Sequence, residues 1–160
     1  MGLDMYLHAK KYFNKVDWDK THSLSEGYAV YDKFNEIMEA TGMEDIATDI
    51  YGTSVEVTCA YWRKSNQIHA WFVKHVQNGQ DDCGNYYVSH EKLKELRETC
   101  RQALFNRDPN LLPPQEGFFF GGTDIDEWYW KDIKATIKKI DRVLALPEMS
   151  ELSFYYNSSW

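Results

Sequence analysis

The sequence predicts a single α+β domain over residues 1–160, with a small, mostly antiparallel sheet covered by about four helices. Three observations lead there. Short stretches that are apolar at every second position alternate with longer ones whose apolar residues recur at three and four. The connections between them are uneven in length, which suits helices laid over a small sheet. The chain has 160 residues, 43% hydrophobic and 27% charged, so it can bury a core without disulfide or metal staples.

Residues 2–9 alternate Leu3, Met5, Leu7 and Ala9 against Asp4, Tyr6 and His8, the period of a half-buried strand. Residues 10–25 are polar without a sustained period and read as loop. Tyr28 to Ala40 reads as a helix through Tyr31, Phe34, Ile37 and Met38, with Gly42 as its C-terminal stop. Residues 43–51 are acidic and fit no single pattern. Val55 and Val57 make residues 53–58 a short strand, which feeds the most distinctive segment, Tyr61 to Val76.

At about 100° per residue, Tyr61, Trp62, Ile68, Phe72, Val73 and Val76 share one arc of a helix, and Asn66 and His69 fall inside it. Arg63, Lys64, Gln67, Lys74 and His75 point elsewhere, and Trp71 strays onto the polar side. The pattern predicts a core helix that carries an imidazole and an amide on its buried face and ends near Asn78-Gly79.

Tyr86-Tyr87-Val88 reads as a short strand or a helix lead-in. The next helix is well punctuated: Ser89 is its N-cap, Glu91 suits the helix dipole, and Leu93, Leu96, Cys100, Ala103 and Leu104 form its stripe. Pro109, Pro113 and Pro114 make residues 107–115 an irregular connection. Residues 117–122, three phenylalanines between glycines, predict a short buried strand. Thr123 or Asp124 should cap the last helix, whose stripe is Trp130, Ile133, Ile137, Ile140 and Leu144, and which stops before Pro147. Leu152 to Asn157 reads as a final strand.

Composition narrows the partners. The net charge of −7 disfavours general DNA or RNA binding, which needs a basic field, but leaves room for a local patch that takes a small anion. Cys59, Cys83 and Cys100 are odd in number and widely spaced, as expected of reduced thiols. No apolar run reaches the ~18 residues that span a bilayer, and no signal-peptide pattern opens the chain, so a cytoplasmic protein without membrane association is expected. The aromatic share of 16% suits either an aromatic core or a concave surface that stacks on a planar ligand or a protein partner.

No residue pattern calls for a cofactor or a metal. His69, His75, Asp81, Asp82, Cys83 and His90 lack ligand spacing, and Gly121-Gly122-Thr123 is followed by acids that would repel a phosphate. Two candidate sites remain. If the protein were an enzyme, His69 would be its proton-transfer group, with Asp126, which projects onto the inward stripe of the last helix, or Asn66 as partner. The other reading of His69 is a satisfied core histidine. For ligand binding the candidates are Trp62, Arg63, Asn66 and His69, since an arginine beside a tryptophan suits a nucleobase-like or phosphate-bearing ligand.

Several strings resemble a family of small phage and prophage proteins. They are Met1-Gly2-Leu3-Asp4-Met5-Tyr6-Leu7, the run from Ala60 to Val73, Leu112-Pro113, residues 117–121, Asp126-Glu127-Trp128-Tyr129, Phe154-Tyr155-Tyr156 and Ser159-Trp160. Together they cover roughly a third of the chain, and Ser65 departs from the small apolar residue expected there. The resemblance implies a phage accessory protein acting in the host cytoplasm, a setting in which small proteins often modulate host or defence machinery. The leading reading of the chain is a non-catalytic binding protein that engages a host protein or a small nucleotide-like ligand. A structural phage component is the other role open to it. The resemblance implies no catalytic residue, and oligomeric state is left open.

Overall fold

Backbone hydrogen bonding in the computed structural model, which describes residues 2–160 apart from the side chain of Glu26, defines eight regular elements. They are β1 (Asp4–Asn14), α1 (Asp32–Thr41), β2 (Gly52–Arg63), α2 (Asn66–His75), β3 (Tyr86–Val88), α3 (His90–Asn106), α4 (Glu127–Leu144) and β4 (Ser153–Ser159). The four strands form one antiparallel sheet in the order β2-β1-β4-β3, giving the α+β class expected from the alternating periods. The chain packs as two compact units, one of the residues up to Ala9 with Val57–Trp160 and the other of Lys10–Glu56.

The larger unit holds the main core. Leu3, Met5 and Leu7, at alternate positions along the first strand, are fully buried with Trp62, Ile68, Phe72, Leu93, Leu96, Ile133, Ile140, Phe154 and Tyr156. The α3 stripe is buried as spaced, and the Ser89 hydroxyl accepts from the Lys92 amide to cap that helix. The α4 stripe is rotated slightly from expectation. Tyr129, Ile133, Thr136, Ile140 and Val143 are its buried residues, and Trp130, Ile137 and Leu144 pack at the margin.

In the smaller unit, Phe34 and Met38 of α1 are buried, and Gly42 ends that helix in the left-handed region, as its sequence position suggested. Lys15 is buried in this unit. Its Nζ donates to the carbonyls of Ala47 (2.6 Å) and Thr48 (3.2 Å), which ties residues 44–48 to the strand.

Three boundaries differ from expectation for physical reasons. The first strand runs on to Asn14 through residues expected to be loop, because β2 is long enough to supply ladder partners whether or not the side chains are apolar. Tyr61, Trp62 and Arg63 belong to β2 and not to a helix. Trp62 is buried between two exposed neighbours, a period of two that three residues cannot distinguish from a helical arc. Lys64, with a φ of 57°, makes the break before α2.

Residues 117–122 form a turn and not a buried strand: Phe118 is 94% exposed, and only Phe120 enters the core. The Phe120 amide donates to the Gly117 carbonyl, and the Phe120 ring lies so close over Gly117 that a Cβ there would sit 2.5 Å from it. Gly121, with a φ of 91°, completes the turn.

Candidate functional site

Most of helix α2 is buried: Asn66, Gln67, Ile68, His69, Trp71, Phe72 and Val73 expose less than a tenth of their surface. The two-faced helix expected from the arc is therefore wrong at Gln67 and Trp71, which were placed outward. Trp71 packs edge-on against Phe72 and stacks on His75 at 4.8 Å. The polar groups this helix carries inward must find partners or a ligand, because an unpaired buried amide costs about 1–3 kcal/mol.

Asn66 finds its partners in the turn described above. Its Nδ2 donates to the carbonyls of Gly122 (2.8 Å) and Phe120 (3.3 Å), so one amide fixes the backbone of residues 120–122. The Ser65 hydroxyl donates to Asp132 Oδ2 at 2.9 Å. Trp62 lies in the core, its Nε1 donating to Thr136 Oγ1 at 2.9 Å, and presents no face for a ligand to stack on. Arg63 is 62% exposed, and its nearest carboxylate, Asp4, stands off at 3.9 Å.

His69 is fully buried and fully satisfied. Its Nε2 lies 3.0 Å from Asp81 Oδ1 and its Nδ1 lies 2.8 Å from the Tyr156 hydroxyl. Burial holds the imidazole below its ordinary pKa, against the opposing pull of Asp81, so it is neutral at pH 7. The neutral tautomer that fits donates from Nε2 to Asp81 and accepts from Tyr156 at Nδ1. Asp81 also accepts from Trp160 Nε1 (3.2 Å) and Gln115 Nε2 (2.9 Å), so this chain pins α2, β4 and the loop after α2 together.

Asp126 is not the partner of His69. It is the N-cap of α4, accepting from the amides of Trp128 (2.8 Å) and Tyr129 (3.0 Å), a role expected of Thr123 or Asp124. The acid–base pair of the enzyme reading is thus not assembled.

Arg63, Asn66 and Gln67 line a cleft of about 450 Å³, together with Lys64, Gly121, Gly122, Asp124, Asp126, Trp128, Tyr129 and Asp132. Of the four ligand candidates read from the sequence, Arg63 and Asn66 reach it; Trp62 and His69 do not. Its lining carries two cations, Arg63 and Lys64, and three acids, Asp124, Asp126 and Asp132. Trp128 is 70% exposed at the rim, with Lys131 Nζ 4.3 Å from its ring centre.

Two groups in this cleft were missed by sequence reasoning. Gln67 is only 3% exposed, and its amide nitrogen leans on Asp132 without closing a hydrogen bond of good geometry. Asp132 is held above the ordinary carboxylate pKa, chiefly by burial, against the Ser65 hydrogen bond and the charge of Lys139. The available signal was weak: Asp132 lies two turns into α4 from its cap, one position before a core isoleucine, where a charged residue ordinarily faces water.

Among the described residues, no helix is long and apolar enough to cross a membrane, and no group of three or more histidine, cysteine or acidic side chains is gathered in a metal-binding arrangement. No family model, curated protein or solved structure matches the chain.

Proposed function

We propose that the protein is a binding protein whose cleft takes a small, nucleotide-like ligand, a planar hydrogen-bonding ring joined to an anionic group. The observation that carries this reading is the buried amide nitrogen of Gln67 at the cleft, left without a well-formed partner by the protein. An amide presents a donor and an acceptor side by side, the complement of a nucleobase edge. The Asp132 carboxyl beside it adds a second polar group in a poorly solvated place. Trp128 at the rim offers a ring to stack on. Arg63 and Lys64 supply positive charge for a phosphate, which must bind beside them and away from Asp124 and Asp126, the acids of the same lining that repel an anion at residues 121–123.

His69 is a positioning residue for the fold of α2 in this account and takes no part in chemistry. In the phage setting that the sequence resemblance implies, such a protein would sequester or sense a host nucleotide. A thermal-shift panel of nucleosides and their mono-, di- and triphosphates tests the proposal. Stabilisation by at least one nucleotide is expected, with Arg63→Ala weakening the phosphorylated ligand about tenfold and its nucleoside little. A panel in which nothing shifts the melting temperature would sink the reading.

A further inference from the structure

The turn that lines the nucleotide cleft with Gly121 and Gly122 also lines a second pocket of about 360 Å³ with Gly117, Phe118, Phe119 and Phe120. We propose that this second pocket binds a small organic cation bearing a methylated ammonium group, held by Phe118, Phe119, Trp160, Asp81 and Glu116. The inference is independent of the nucleotide reading, since neither ligand group nor lining side chain is shared.

The pocket combines rings with uncancelled negative charge. Asp81 and Glu116 line it, and no lysine, arginine or histidine is among the residues that do. The donors that reach the Asp81 carboxylate are His69, Trp160 and Gln115. The last two are neutral groups, and the buried imidazole is neutral at pH 7, so its hydrogen bonds orient the carboxylate without discharging it.

The rings stand in several planes. Phe118 and Phe119 meet edge to face at 4.7 Å and 87°, and Phe120 and Trp160 are 6.1 Å apart at 59°. Rings at such angles can surround a cation with π faces, the arrangement that favours a quaternary ammonium. The methyl groups spread the charge and pack on carbon, whereas a bare metal ion would keep its water and gain little from the rings. The volume is at the lower end of small-molecule sites and admits a trimethylammonium group together with the chain that bears it.

The test is a calorimetric titration of the full chain at constant ionic strength with choline chloride, with 3,3-dimethylbutanol, its uncharged carbon isostere, and with a trimethyllysine peptide. Choline should saturate one site and bind at least tenfold more tightly than the isostere. Phe118→Leu and Glu116→Gln should each weaken it about five- to tenfold while leaving the melting temperature unchanged, both residues being exposed. A peptide that binds more tightly than choline supports the site and makes a protein tail the source of the group; the reverse ranking makes it a free metabolite. No saturation by choline or peptide, equal binding of the isostere, or indifference to both variants overturns the proposal.

Discussion

His69 is paired with Asp81, 3.0 Å from Nε2 to Oδ1, across the loop that follows its own helix. The pair continues through Nδ1 to the Tyr156 hydroxyl, which is itself buried with its ring stacked 3.9 Å from Phe72. Each donor in this chain has one acceptor, and every atom of His69 is closed to solvent. A histidine so placed ties three segments together, and its truncation leaves a buried hydroxyl unpaired.

Tyr156→Phe removes only the hydroxyl and should cost about 1–2 kcal/mol of stability; His69→Ala also opens a cavity and should cost about 3 kcal/mol or more. Urea unfolding of both variants and of the double variant checks this. The double variant should fall well short of the sum, because the two residues share one hydrogen bond.

The same burial makes stability depend on pH. His69 is held below its ordinary pKa in the fold, and so is His75, again chiefly by burial. The unfolded chain therefore takes up protons first as pH falls through about 6.5. The stability contributed by keeping these rings neutral is complete above that value and is lost below it, at up to about 1.4 kcal/mol per pH unit for each group. Unfolding free energies measured from pH 7.5 to 5 should decline, and His69→Gln should flatten the decline by its share. An unchanged slope in that variant contradicts the assignment.

Asn66→Ala deletes the amide that holds the carbonyls of Phe120 and Gly122. A loss of about 2 kcal/mol is expected. The effect should be local as well: amide hydrogen exchange should accelerate in residues 117–122 more than in α3, which makes no contact with that amide.

Much of this was legible in the sequence, and the misses have physical causes. The paired periods of two and 3.6 placed the strands and helices because each has one buried face, and Ser89 and Gly42 marked helix ends through their own backbone chemistry. The partner of His69 was not legible. Asp81 lies in a loop, where no periodicity says which way a side chain turns. Asp126 lay on the inward stripe of α4 when projected as a helical residue, yet it is the residue before the helix, bent back onto the amides of Trp128 and Tyr129. The cleft was half visible: Arg63 and Asn66 were singled out, but Gln67 was read as solvent-facing because a helical wheel assumes that one side of a helix meets water. Helix α2 is packed on most of its circumference, with Lys74 its one exposed residue, so the wheel sorts Lys74 and fails at Gln67 and Trp71.

Asp126→Ala separates the capping role from the catalytic one. Loss of the cap should cost about 1 kcal/mol and leave the pH dependence assigned to His69 intact. Denaturant unfolding at two pH values reads both quantities. A change in the pH dependence would mean that Asp126 faces His69 after all.

The central claim is that the cleft beside α2 is a ligand site in which Gln67 meets the ligand. Gln67→Met keeps the length of the side chain and removes its amide, so the protein should be as stable as before or more so. Calorimetric titration of this variant with the best nucleotide from the thermal-shift panel is the most direct measurement. The account predicts undiminished stability with binding weakened at least tenfold; undiminished binding would contradict it.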